Sequence, residues 1–484
     1  MQLPRLALVC LLAASLPAFA EPVELPVDME VEAQRISMSL RGGRVDVLVD
    51  PDAEPGLTVK DLVRGEESGG FVLIEQDGAS LTVGQPHGDE VTAPRLAVEL
   101  VIGPGQVLEL SGEDLSVTVE GLAPPPAAPP REAGEAGSAL AAPAPIPGIR
   151  LDLVHSIVRV SAVGGLNLKA NDTAVQAERL RGLVQAELEG GRLALDDQEG
   201  PVHLRGSNAD VTLAQAIGDV EFALEGGNLS IAAGAGSCKG RSRSTLVRIE
   251  GWQGGVTLDG ELNQVEVRES GAPEAQLSVS GERNDVLVEQ FRGAVTAQVT
   301  GGSLRATDIG VRVRVEATEG AQVRVERVKE GAEVRSSERA TLTVNDVGQR
   351  LWAVVRDGSL DAEGMAELEL RADSAVVNVR SITGRARVQA TDTQLGLDLS
   401  ASRVHPDVKL GGSTQASIVM PAPCVVRVSE PEMAGQVTVS GCELSDGSNR
   451  PGTSPYGRRP GSRPDLLLIA HLDGSAELNV RATP

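Results

Sequence analysis

Gly182, Gly200 and Gly218 recur at one constant interval, and each opens a short run in which apolar and polar residues alternate. The runs are Gly182 to Leu188, Gly200 to Leu204 and Gly218 to Leu224. Gly254, two periods on, opens Gly-Gly-Val-Thr-Leu258, and Gly293 opens Gly-Ala-Val-Thr-Ala-Gln-Val299. A fixed period of about 18 residues with strand-like alternation is the mark of a chain that coils and stacks on itself.

Each repeat reads as two strands and two turns. From Gly200, Val202 and Leu204 point one way while Pro201, His203 and Arg205 point the other; Gly206 to Asp210 turn the chain into Val211-Thr-Leu213. One coil has no partner for its apolar face, whereas a stack shares an interior of Val, Leu, Ile and Ala, with parallel pairing between coils supplying the backbone hydrogen bonds. The fold expected is all-β, a parallel β-solenoid (β-helix) whose coils each take about 18 residues. Further coil starts are expected at Gly310, Gly331, Gly348, Gly364 and Gly384, where the step drifts to either side of the period, as small turn insertions would explain. No helical 3.6-residue period of comparable length occurs after the leader.

Asparagine recurs just before strands, at Asn208, Asn228, Asn263, Asn284 and Asn345. Asparagine tolerates the left-handed backbone and bonds its own main chain, so a repeated tight corner accounts for the row. The functional alternative is a line of polar groups that binds a cation or a sugar.

With 44 Lys and Arg against 68 Asp and Glu the formal charge is -24, and the basic residues are scattered. That excludes the electrostatic footprint of a nucleic-acid or anionic-membrane partner. The seven aromatic residues argue against sugar-stacking platforms and against an outer-membrane barrel with aromatic girdles.

Residues 1–20 read as a secretory signal: Arg5, an apolar stretch from Leu6 to Leu16, and a small-x-small site at Ala18-Phe19-Ala20. Cys10 lacks a small residue before it, so lipid attachment there is not expected. The mature chain is therefore expected to be exported, to the periplasm, the cell surface or the medium. No later apolar run approaches the ~18 residues that span a bilayer.

Residues 21–122 form a β-rich region, either the first coils of the solenoid or a separate β-domain. Residues 123–148 are a Pro- and Ala-rich linker or excursion. The main solenoid runs from 149 to 400; at ~4.8 Å per stacked strand, about 14 coils would extend roughly 65 Å. Residues 401–484 supply the last coils, with a flexible polar loop at 443–465.

Export permits oxidation, and Cys424 and Cys442 lie one repeat length apart in the chain, so they are the candidate disulfide. Cys238 is left over, either as a reactive thiol or as an inert single cysteine. Arg450, Tyr456, Arg458, Arg459 and Arg463 are a candidate partner-binding cluster that would dock an anionic partner or another copy of the chain. A solvated loop is the simpler reading.

The leader, the Gly-x-Val strand openings, the passage from Ala93 to Gly105 and the closing passage from Leu468 to Val480 together resemble the bacterial putative-adhesin β-solenoid domains of unknown function, which are autotransporter-adhesin-like. The resemblance spans most of the mature chain and implies an extracytoplasmic solenoid with no catalytic residues to carry over. The Pro- and Ala-rich stretch and the 443–465 loop depart from the family's compact arrangement.

Enzyme motifs are absent: no Gly-x-Ser-x-Gly elbow, His-Glu-x-x-His, phosphate-binding loop or dinucleotide fingerprint occurs. The five histidines, His87, His155, His203, His405 and His471, are isolated in sequence. Asp196, Asp197, Asp210 and Asp219 are candidate acids for the main rival function, a polysaccharide-active β-helix lyase or hydrolase, but they equally suit a charged exterior. The expectation is a non-enzymatic adhesin or structural and binding protein of the bacterial envelope. It needs no cofactor or metal, binds a protein or glycan, and has self-association as an option.

Overall fold

A computed structural model of the chain describes residues 22–24, 27–61, 71–85, 95–103, 105–121, 148–429, 436–445 and 466–483. The leader, nearly all of the 123–148 stretch and the loop from 446 to 465 lie outside these residues.

The described residues are all-β and form a parallel β-solenoid of about 16 turns. Two compact units divide the chain, residues 1–193 and 194–484. In the first unit the long strands Arg35–Val49 and Val107–Gly121 pair in parallel along their length. Val107–Gly121 continues the ladder in parallel onto Gly148–Val154 and Ile157–Ser161. Not every pairing follows the parallel rule expected from the repeats. Gly56–Asp61 runs antiparallel to Leu96–Ile102, and Phe71–Asp77 antiparallel to Ser80–Gly84. These hairpin-like additions cover strands at the start of the stack that would otherwise offer unpaired edges.

In the second unit the alternation seen in sequence becomes columns of identical depth. One inward column passes through Val202, Val220, Cys238, Val256, Leu277, Val295 and Val313, every member at most 1% exposed. β-branched and aliphatic residues fill such a column because they pack on a pleated surface with little rotamer loss. Among the described residues each buried ring lies against a glycine: Phe222 pairs with Gly240, Trp252 with Gly234, and Phe291 packs on Gly271. A Cβ on any of these glycines would run into the ring. That constraint explains why aromatic residues are so scarce.

The regular glycine spacing has a backbone cause. A Cβ on Gly218, Gly236 or Gly254 would collide with the carbonyl oxygen of the glycine one coil earlier, because the corners stack main chain on main chain. Later members of this corner are Gly310, Gly348 and Gly384, whose Cβ positions meet the backbone oxygens of Arg292, Lys329 and Ala366. Gly331 and Gly364 are not coil starts of this kind. Gly331 opens the strand Gly331–Ser336 opposite Arg312, and Gly364, at φ +74°, lies against Asp346 two residues ahead of Ala366 in the same corner. The step between coils still drifts, from 21 residues between the paired Val256 and Leu277 to 17 between Leu351 and Leu368.

The asparagines also divide. Asn208 takes the left-handed conformation expected of a corner residue, at φ 52°, a post filled in other coils by Asp172, Ser244, Arg283 or Glu319. Asn263 and Asn284 instead turn inward, each 4% exposed. Their amides tie successive corners together: Asn263 Oδ1 accepts the Thr245 N–H at 3.1 Å, and Asn284 Nδ2 donates to the Gly260 carbonyl at 2.9 Å. Buried amides persist only when bonded in this way.

Candidate functional site

Between Ala294 and Thr391 the outward residues line up as strictly as the core. One column reads Thr296, Arg314, Glu333, Trp352, Glu369, Arg387; its neighbour reads Gln298, Glu316, Arg335, Val354, Arg371, Gln389. Since residues two apart on a strand share a face, the two columns lie side by side.

Trp352 is half-buried on this outer face, whereas Phe222, Trp252 and Phe291 are buried. Among the described side chains it is the one aromatic turned outward. The Arg335 guanidinium sits 4.7 Å from the centre of its ring, a cation–π contact that restrains both groups. Arg335 also pairs with Glu333 at 3.1 Å, Arg314 reaches the same carboxylate at 3.6 Å, and Arg350 bonds Glu369. Such exposed pairs add little stability individually but hold the side chains in place.

Two clefts open beside the ring, of about 920 Å³ and about 680 Å³. Trp352, Arg335 and Glu316 line both, so they form the ridge between them. Gln276, Gln298 and Gln349 bring amides to the first cleft, and Gln389 and Arg371 line the second. An aromatic plate flanked by amides and guanidiniums suits a ligand with an apolar face and a polar rim. The scarcity of aromatic residues stands as a count, but it does not remove a stacking surface, because this tryptophan faces out.

Other charged columns follow the same rule. Arg327 bonds Asp308 through Nε at 2.5 Å and holds its carboxyl below the usual carboxylate range. Arg324, with Arg305 and Arg327 nearby, does the same for Glu326. Asp392 is lowered by the backbone N–H and hydroxyl of Ser413.

The residues singled out in the sequence are dispersed. Asp210 accepts from Asn228 Nδ2 at 2.7 Å and Asp219 accepts the Ser237 N–H at 2.9 Å, so both serve as cross-coil braces. Asp197 occupies a left-handed corner at φ 51°, and Asp196 is exposed on the strand Arg192–Glu199. His155 is a corner residue near Glu113 and Asp172, and His203 stands 3.9 Å from Glu221. His405 Nδ1 accepts the Leu467 N–H at 2.9 Å.

His471 lies between Ser429, at 2.5 Å from Nδ1, and Asp407, at 4.0 Å from Nε2. This grouping looks like a nucleophile with its base. The Ser429 hydroxyl has a second acceptor in reach, the Ala470 carbonyl at 3.3 Å, and the tautomer of the ring decides which of the two takes its proton. The carboxylate, however, lies beyond hydrogen-bond reach.

Cys424 and Cys442 are joined as a disulfide, with Cα atoms 4.8 Å apart, where the strand Cys424–Ser429 pairs in parallel with Glu443–Ser445. Cys238 is a free thiol in the core column, and burial pushes its pKa up to about 12, so the inert alternative describes its surroundings. Arg450, Tyr456, Arg458, Arg459, Arg463 and His87 lie outside the described residues. No group of three or more metal-ligating side chains, and no helix long and apolar enough to cross a membrane, occurs among the described residues.

No family model matches the chain, and no curated protein matches it. A solved structure with partial similarity is that of a putative cell adhesion protein from Clostridium sporogenes, 10% identical with a TM-score of 0.17, the match covering 52% of this chain and 100% of that one.

Proposed function

We propose that the protein is an exported, non-enzymatic binding protein of the bacterial envelope, an adhesin-like solenoid that engages an external ligand through an outer sheet face. The observation that carries this reading is the Trp352 ridge. An aromatic side chain is held outward by Arg335 between two clefts, on a fold whose other described rings are buried. Exposing a large ring to water costs free energy that core packing would recover, so its placement serves recognition. The disulfide supports export, since such bonds persist in oxidising compartments.

A panel of polysaccharides and envelope fractions, offered with and without calcium, tests the reading. Saturable binding with the polymer recovered intact supports it. Saturable binding with release of shortened or unsaturated products replaces it with the lyase or hydrolase alternative.

A further inference from the structure

The charge of the Trp352 face runs against that of the molecule. The chain carries a formal -24, yet the two clefts together are lined by six arginines against four carboxylates. Glu333 is already shared by Arg314 and Arg335. Arg312 in the first cleft and Arg371 in the second are exposed and have no ion-pair partner among the described residues. They flank the tryptophan. Arg371 belongs to the next coil, opposite Val354, and Arg312 lies two coils back, opposite Gly331, which itself pairs with Arg350. At ~4.8 Å per coil the three groups span roughly 15 Å along the stack, enough for more than one residue of a polymer. Unpaired guanidiniums are donors in search of planar anions, and carboxylates match their fork.

We infer that the ligand of this face is an acidic polysaccharide of uronic-acid type. One sugar ring stacks on Trp352, and carboxylates on either side of it bind Arg312 and Arg371. This assignment rests on the binding reading above and adds the ligand's chemistry. A neutral glycan would leave both guanidiniums unanswered. A protein partner would be favoured by a broader apolar patch than one ring and the half-buried Val354 beside it.

The test uses the full chain and polygalacturonate as the probe, with fully methyl-esterified polygalacturonate as the same backbone without its charge. Titration is followed by tryptophan emission and by calorimetry. Saturable binding to the free acid, weakened about 10-fold or more by esterification, by Trp352→Ala and by Arg371→Gln, and weakened by salt, is the expected result. Arg312→Gln and Arg371→Gln change exposed side chains, so their folded state is checked by circular dichroism and serves if Trp352→Ala disturbs the coil. Equal binding of the esterified polymer, or undiminished binding by the folded Trp352→Ala and Arg371→Gln variants, overturns the proposal. If polygalacturonate fails to bind while the wild-type chain binds another member of the panel, the ligand assignment falls and the binding reading stands. If nothing in the panel binds, both fall.

Discussion

Asn284 Oδ1 accepts two hydrogen bonds from Asn263 one coil earlier, from its backbone N–H at 2.9 Å and its side-chain amide at 3.1 Å. The pair extends a buried polar column that begins at Thr245, so each amide is the partner of the next. Asn284→Ala would strand the Asn263 backbone N–H in the core, while the Asn263 amide keeps its bond to the Ser242 carbonyl, at a cost of about 1–3 kcal/mol. Asn228→Ala, which breaks only an exposed bond to Asp210, should stay within about 0.5 kcal/mol of the parent. Urea unfolding of the two variants checks the contrast.

The glycine period predicts where methyl groups are forbidden. A Cβ on Gly254 meets the Gly236 backbone, whereas one on neighbouring Gly255 finds its nearest atom at 3.6 Å. Gly254→Ala should therefore lose about 1–3 kcal/mol through forced separation of two coils. Gly255→Ala should be nearly neutral in the same denaturation series.

Cys238 should resist modification. Its pKa is raised from 9.0 to about 12 by burial, so at pH 8 the native thiol is protonated and shielded. A thiol reagent should label it only after denaturation. The sign of the pH effect follows from the raised value: the neutral thiol's contribution is complete below pH 9 and is lost as pH rises toward 12. Cys238→Val, an isostere already used in this column, should remove that alkaline dependence.

Reduction of the Cys424–Cys442 bond should loosen the end of the second unit. The bridge joins positions separated by 18 in the chain, and for a loop of that length the chain-entropy model gives about 3 kcal/mol. Hydrogen exchange should quicken on reduction in Val437–Ser440 and Glu443–Ser445, the strands nearest the bridge, and stay unchanged in the coils around Val256.

The sequence revealed the solenoid because two physical constraints repeat with the coil: inward residues must be apolar, and one corner, where main chain stacks on main chain, is filled by glycine in many coils. Gly331 opens its strand as expected, whereas Gly364 takes the left-handed post of the corner, and composition alone does not tell these uses of glycine apart. The antiparallel pairs at the start of the stack were illegible for a similar reason, since strand pattern says nothing of strand direction. Trp352 went unnoticed because Leu351-Trp-Ala-Val-Val355 is apolar throughout, and such a run hides which residues face out. Only the register with Glu333 and Glu369 fixes its side. The inward amides of Asn263 and Asn284 looked like turn residues because asparagine suits both posts.

The facing of Trp352 reports the register of every coil around it, since a one-residue slip would turn each outward column inward. The chain has two tryptophans: Trp252, 0% exposed, and Trp352 on the outer face. Acrylamide quenching of the wild type, Trp352→Phe and Trp252→Phe reads each one separately. The account predicts a shielded emitter alone in Trp352→Phe and a readily quenched one alone in Trp252→Phe. A shielded Trp352, or a freely quenched Trp252, would contradict it.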